Sequence, residues 1–287
     1  MALEDRMQQK KITFSLQIGI LITMITCNFC FAQQYEFDNR SIDSATFTET
    51  RTALRQLSAE QFEKRVFTNE FATIPYRFLL PKDFNPKKKY PLVITFHNSS
   101  RIGTDNESQL EHLARTWIRE DIYAKFNCFV IAPQFDKRSS NYESNPDGML
   151  TAKPSTDAKQ VLALLAHIEK EYVNIDKNRI YLIGYSMGAS TTQNLMSLAP
   201  DKFAAMISIA AVPDLSNLNA FKRKNIWLIH GEKDNENPYA GSKVLYEKLQ
   251  GNHRLKFTTF KNLQHNNIVI PFLLTDELQK WLFTKHR

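Results

Sequence analysis

The chain has 287 residues, 43% of them hydrophobic and 11% aromatic, a composition that fills a packed core and excludes a disordered polymer. Its formal charge of +7 comes from scattered bases, with one run at Lys87, Lys88 and Lys89 in a turn, so no basic stripe for nucleic acid is formed. Of three cysteines only Cys128 lies beyond the first 32 residues, which excludes an internal disulfide framework for the rest of the chain.

Residues 1–32 read as a signal peptide. A polar, net positive start (MALEDRMQQKK) precedes a long apolar run ending in Cys30-Phe31-Ala32, whose small residues suit cleavage after Ala32. Met7 serves equally well as a start, and an uncleaved anchor is the rival reading, because the apolar run is near the length that spans a bilayer. A cleaved leader makes the protein secreted or periplasmic, with no stable membrane association, and leaves a chain the size of one α/β domain.

Residues 33–64 form a polar N-terminal extension, with a short helical pattern in ALRQLSAEQF, expected to pack across the sheet edge. Residues 65–287 hold the main domain. RVFTNEF and TIPYRFLL read as β segments, and PLVITFH as a strand buried on both faces. ESQLEHLARTWIRED has helical periodicity, CFVIAP is an apolar strand with Cys128 as a buried, inert thiol, and QFDKRSSNYESNPDGML reads as a substrate-site loop without periodicity. TDAKQVLALLAHIEKEY is an amphipathic helix capped by Ser155 or Thr156. Strands at RIYLIG, FAAMISIAAV, NIWLIHG and RLKFTTF then alternate with helices, the last being TDELQKWLF. That alternation is the pattern of a mostly parallel central sheet with helices on both faces.

The β-rich run Ile180 to Ile183 meets Gly184-Tyr185-Ser186-Met187-Gly188, and a helical segment follows at once. Strand, abrupt turn and helix are the context of a nucleophile elbow, where small residues at 184 and 188 are steric requirements. The competing reading makes Ser186 a simple helix cap. A serine nucleophile needs an imidazole base and a carboxylate to orient it. Asp234 follows the strand NIWLIHG and His265 follows RLKFTTF, so the order is Ser186, Asp234, His265, that of α/β hydrolases. Glu232, Glu236 and Asp214 compete for the acid. Among the other histidines, His230 is expected to hold its loop, and His112, His167, His253 and His286 to be exposed or packed. The oxyanion donors are assigned to the backbone N–H groups of Met187 and Ser99.

With YRFLLPKDFNPKKKYPLVITFH, GTDNESQL, RIYLIGYSMGA, PDKFAAMISIAA, IWLIHGEKD and QHNN in view, the chain resembles secreted α/β-hydrolase esterases. They are the group related to polyhydroxybutyrate depolymerases, feruloyl and acetylxylan esterases, and prolyl-oligopeptidase-type predicted peptidases. The resemblance runs from about Tyr76 to His265 and implies the α/β-hydrolase fold. In that group the loop after the third strand reads His-Gly-x-Gly-Glu-x-Gly-x-Asp-Asn. Here His97, Gly103, Asp105 and Asn106 match, while Asn98, Ser100 and Arg101 replace two glycines and the glutamate. Asn98 is expected to keep the turn by tolerating positive φ.

These residues point to a serine carboxylesterase acting on a small-molecule or polysaccharide-linked ester, acetyl or feruloyl by resemblance. No zinc-type ligand spacing and no phosphate-binding glycine loop occur, so neither metal nor organic cofactor is expected. The alternatives are a prolyl-oligopeptidase-type serine peptidase and a non-catalytic binding protein that retains the fold.

Overall fold

The computed structural model describes residues 33–287; the expected signal peptide, residues 1–32, lies outside the described residues. Among the described residues, eleven strands form one large sheet and one hairpin. The large sheet has nine strands in the order β1-β11-β10-β9-β8-β4-β5-β3-β2. Its members are β1 (Gln34–Asp38), β2 (Phe62–Thr68), β3 (Thr73–Leu79), β4 (Tyr90–Phe96), β5 (Phe129–Pro133), β8 (Ile175–Tyr185), β9 (Ala205–Ile209), β10 (Asn225–Gly231) and β11 (Leu255–Phe260). From β1 to β5 every neighbouring pair is parallel, and β3 and β2 then add antiparallel strands at the far edge.

The strands sort their side chains by strict alternation. On β8, Ile180 and Leu182 face a core that includes Leu164 and Ile168 of α3 (Thr156–Glu171), Leu195 and Met196 of α4 (Met187–Leu198), and Leu245 of α5 (Tyr239–Lys248). Tyr181, Ile183 and Tyr185 face the other core. There they join Leu54 of α1 (Ser44–Arg55), Ile122 of α2 (Glu120–Lys125), Ile270 of α6 (Ile270–Leu273) and Leu282 of α7 (Glu277–Phe283). Both faces are covered, which explains why the central strands read as unbroken apolar runs rather than alternating ones. The architecture is the α/β-hydrolase fold expected from the sequence.

Three local expectations change. The helix of the N-terminal segment is Ser44–Arg55, not 53–62, because the Asp43 side chain caps it by accepting from Thr46 N at 2.7 Å. Phe62 is buried and is already paired with Leu79 in the sheet. Residues 107–121 do not form one helix. Asp105 Oδ1 takes the N–H groups of Glu107 and Ser108 at 2.9 and 3.0 Å and starts a single 3-10 turn, Ser108–Leu110. Extended backbone at Glu111 and Arg119 then separates a second turn, Ala114–Ile118, from α2. Each short turn still delivers its apolar residues, Leu110, Leu113 and Trp117, to the core, so the periodicity is met without a continuous helix. Finally, the polar stretch after β5 is a β hairpin of β6 (Ser140–Ser144) and β7 (Leu150–Pro154). Asn145 Oδ1 closes its tip by accepting from Asp147 N and Met149 N, and Gly148 turns the chain at φ 78°. Ser140 and Ala152 point inward against α4, whose Asn194 bonds both strands.

Candidate active site

The parallel strands bring their C-terminal ends to one edge, and the loops there hold the residues singled out above. Ser186 sits between β8 and α4 at φ 57°, ψ −121°, a conformation that costs a non-glycine residue free energy and persists only where neighbours enforce it. The neighbours are specific. A Cβ on Gly184 would lie 2.2 Å from Gly188 O, and one on Gly188 would lie 2.3 Å from Phe96 O and 2.7 Å from His97 O. Ser186 N donates to Ile209 O at 2.8 Å, tying the turn to β9. The Ser186 side chain does not cap α4.

Ser186 Oγ is instead 2.8 Å from His265 Nε2, and His265 Nδ1 is 2.7 Å from Asp234 Oδ2. His265 opens a 3-10 turn after β11, fixed by a reciprocal bond between Gln264 and Asn267, and Tyr185 Oη donates to His265 O at 2.8 Å. Asp234 Oδ1 accepts the N–H groups of Glu236 and Asn237 at 2.9 Å each, which aims Oδ2 at the imidazole. Gly231 lets these two loops meet: a Cβ there would lie 2.2 Å from Leu263 O.

His230 is fully buried and does more than hold its loop. Its Nε2 is 3.0 Å from Asn237 O and 3.2 Å from Asp234 Oδ2, two acceptors, so that nitrogen carries a proton; Nδ1 is 2.7 Å from Ser242 Oγ. Asp234 thus lies between two imidazoles. Burial pushes its carboxyl up, but the hydrogen bonds from His230 and His265 outweigh burial and hold it well below the usual carboxylate range. The contact was missed because a histidine four residues before an acid is an unremarkable spacing; only the loop between them folds it back.

None of the competing acids takes the place of Asp234 at His265 Nδ1. Glu236 Oε2 is 3.7 Å from His265 Nε2, on a half-exposed side chain bonded to Asn266. Buried Asp214 accepts from Asn194 and Ser216, joining α4 to the loop after β9, and Glu232 is exposed. Cys128 is buried, and burial pushes its thiol far up, so it is inert. Among the described residues no group of three His, Cys, Asp or Glu side chains is placed to hold a metal.

Met187 is the first residue of α4, so its N–H has no partner within the helix and points out of the positive helix end. Ser99 opens a 3-10 turn, Ser99–Arg101, on the loop that follows β4. The approach of Gly188 to Phe96 O and His97 O presses this loop against the start of α4. Asn98 is extended at φ −79°, ψ 173°, so the expectation of a positive φ there is corrected: this turn needs no glycine at 98. The left-handed residue is Asn106, at φ 52°. His97 holds the loop from below, donating from Nδ1 to Asn98 O at 2.8 Å while Nε2 accepts Phe135 N at 3.2 Å. Burial pushes its imidazole down to about 4, consistent with the neutral ring this pattern needs.

Comparison with known proteins follows the same lines. The family described as Phospholipase/Carboxylesterase matches residues 146–272. A thermostable esterase of known structure superimposes with a TM-score of 0.71 and 32% sequence identity, over 79% of this chain and 64% of that one. The bifunctional acetylxylan esterase/xylanase XynS20E of Neocallimastix patriciarum is 27% identical over half of this chain, which spans 19% of that much longer protein. The acylaminoacyl peptidase of Pyrococcus horikoshii has a TM-score of 0.53 at 17% identity, over 79% of this chain and 41% of that one, a likeness of fold alone. Fold and relatives agree on the α/β-hydrolase architecture, and the greater sequence likeness is to esterases.

Proposed function

We propose that the protein is a serine carboxylesterase in which Ser186 is the nucleophile, His265 the base and Asp234 the group that orients it. The observation that carries this reading is the unbroken relay from Ser186 Oγ through His265 to Asp234, at 2.8 and 2.7 Å. Oγ attacks the ester carbonyl as its proton passes to His265 Nε2, and the same imidazole then protonates the departing alkoxide. Water repeats the two proton transfers to release the acid and restore Ser186. The N–H groups of Met187 and Ser99 face the developing oxyanion. Residues 1–32 support a secreted or periplasmic location, the acetylxylan esterase relative supports acetyl esters of polysaccharides as substrates, and the resemblance carried by the sequence motifs adds feruloyl esters.

The test is hydrolysis of p-nitrophenyl acetate, p-nitrophenyl butyrate and methyl ferulate beside Ser186→Ala. Turnover that falls by about 10⁶-fold in the variant, as in other serine hydrolases with the nucleophile removed, supports the assignment. Folded protein with no turnover above the variant, and no labelling of Ser186 by a fluorophosphonate, overturns it in favour of a binding protein. Labelling with peptide cleavage and no esterase activity turns it toward a peptidase.

A further inference from the structure

Three guanidinium groups converge on one carboxylate, that of Glu111. Glu111 accepts from Arg55 Nε at 2.9 Å and Nη2 at 3.0 Å, and its Oε2 also accepts from Arg101 Nη2 at 2.8 Å. Arg51 Nη2 stands 4.0 Å from the same oxygen, its Nε is buried without a hydrogen-bond partner, and its guanidinium lies over the Phe47 ring, 5.0 Å from the centroid. His112 Nδ1 is 3.9 Å away, but burial pushes that imidazole down to about 4, so it adds no charge at neutral pH. The charges acting most strongly on Arg51 are Arg55, Glu111 and Arg101, so three cations face a single anion. Arg51 and Arg101 are each about a fifth exposed, and the Nε of each is buried without a partner.

Like charges brought together under partial burial, with donors left unmatched, are unfavourable unless an anion completes the group. The position of the cluster says where that anion comes from. Arg101 closes the turn that Ser99 opens. Arg51 faces the same Glu111 oxygen to which Arg101 donates, so it stands beside that turn. The cluster therefore lies against the loop bearing Ser99. Glu111 engages Arg55 and Arg101, leaving Arg51 as the arm with unused donors. A guanidinium fork matches a planar carboxylate in two parallel hydrogen bonds.

We infer that Arg51 and Arg101 form a subsite for a carboxylate carried on the substrate, so that the favoured esters are anionic. This rests on the reading of Ser186 as the nucleophile. The test compares kcat/KM in two matched pairs at low salt with the full chain. 4-Nitrophenyl hexanoate and the mono-4-nitrophenyl ester of adipic acid place the charge on the acyl side. 4-Nitrophenyl acetate and 3-carboxy-4-nitrophenyl acetate place it on the leaving group. In at least one pair the charged ester is favoured about tenfold or more, chiefly through KM, and Arg51→Gln brings that ratio back toward one. Arg254→Gln, which removes the same charge at the opposite edge of the parallel sheet, leaves the ratio in place. Neutral esters favoured in both pairs, or a ratio that Arg51→Gln does not move, overturns the subsite while leaving the esterase reading intact. No turnover of any of the four esters overturns both.

Discussion

The two walls that meet at Ser186 fix their backbones by different means. At the elbow the means is space: Gly184 and Gly188 are bare because backbone carbonyls already occupy the positions where Cβ atoms would stand. Along residues 97–106 the means is polar side chains. His97 bridges Asn98 O and Phe135 N, and Gln134 accepts from Asn106 N at 2.6 Å while donating to Asp105 Oδ1 at 2.7 Å. Gly103 sits in this second wall, but a Cβ there would meet only the Gln134 side chain, at 3.2 Å. Glycine that fills a steric requirement and glycine that merely lies in a loop have different consequences on substitution.

The largest effect expected is therefore at the first wall. Gly188→Ala drives a methyl group into Phe96 O, and neither the end of β4 nor the start of α4 can retreat without opening the sheet edge. The cost is expected to exceed about 4 kcal/mol, the range of the most damaging single substitutions, with little folded protein recovered. Gly103→Ala, by contrast, needs only a side-chain adjustment and is expected to cost about 1 kcal/mol or less. Thermal unfolding of the pair measures the difference directly; equal losses would break the distinction.

The second wall, together with the segment that follows it, carries a pH signature that the first lacks. His97 and His112 have imidazoles pushed down to about 4 by burial, against about 6.5 in an unfolded chain. A depressed base favours the folded state fully above pH 6.5, and that contribution is lost as the pH falls from 6.5 toward 4, because the unfolded chain takes up protons first. The loss amounts to at most about 3 kcal/mol for each histidine. It is separable from Asp234, whose depressed carboxyl contributes above the unfolded carboxylate value near 3.9 and is lost only below it. Unfolding midpoints followed from pH 7 to 4 should fall steadily, and His112→Gln should flatten the curve. A flat profile in the parent protein would show that these rings are not held neutral.

Next in size is Gln134→Ala, which strips the second wall of both its bonds to Asp105 and Asn106 while leaving the elbow untouched. A loss of about 1 to 3 kcal/mol in stability follows from the unpaired Asn106 N–H. If Ser99 faces the oxyanion, kcat falls as well while KM changes little, because a displaced donor matters most in the transition state. Loss of stability with unaltered kcat would separate the loop from catalysis.

The contrast also explains what could be read in advance. A steric requirement leaves a mark in the sequence: Gly184, Ser186 and Gly188 between an apolar strand and a helix are legible as an elbow. The ends of β10 and β11 then placed Asp234 and His265 by chain order alone. The polar wall leaves no comparable mark. Gln134 lies beyond the next strand from the loop it holds, and His230 reaches Asp234 only after the intervening chain has folded back. At Asn98 the resembled loop carries glycine and asparagine tolerates positive φ, which suggests a left-handed turn, whereas the chain there is extended and the left-handed residue of the loop is Asn106. Helical periodicity at 107–121 and the aperiodic stretch at 135–153 misled for one reason: buried positions can be supplied by separate turns or by a short hairpin as well as by a helix.

The hairpin supplies the smallest prediction and sharpens the distinction among glycines. Gly148 has φ 78° with nothing within 4 Å of a Cβ built on it, so it is needed for conformation and not for space. Gly148→Ala forces an L-residue into the left-handed region, at about 1 to 2 kcal/mol, confined to the hairpin tip. The tip borders a cavity of about 350 Å³ lined by Met149, Leu150, Val212, Pro213 and Pro238, with Val212 and Pro213 coming from the loop after β9. Because the tip touches neither the elbow nor the Gln134 network, global unfolding should shift little while proteolysis at the tip becomes faster. If long or aromatic acyl groups enter that cavity, their KM rises in the variant while that of p-nitrophenyl acetate does not. An equal change for all esters would mean that the hairpin supports α4 and takes no part in substrate choice.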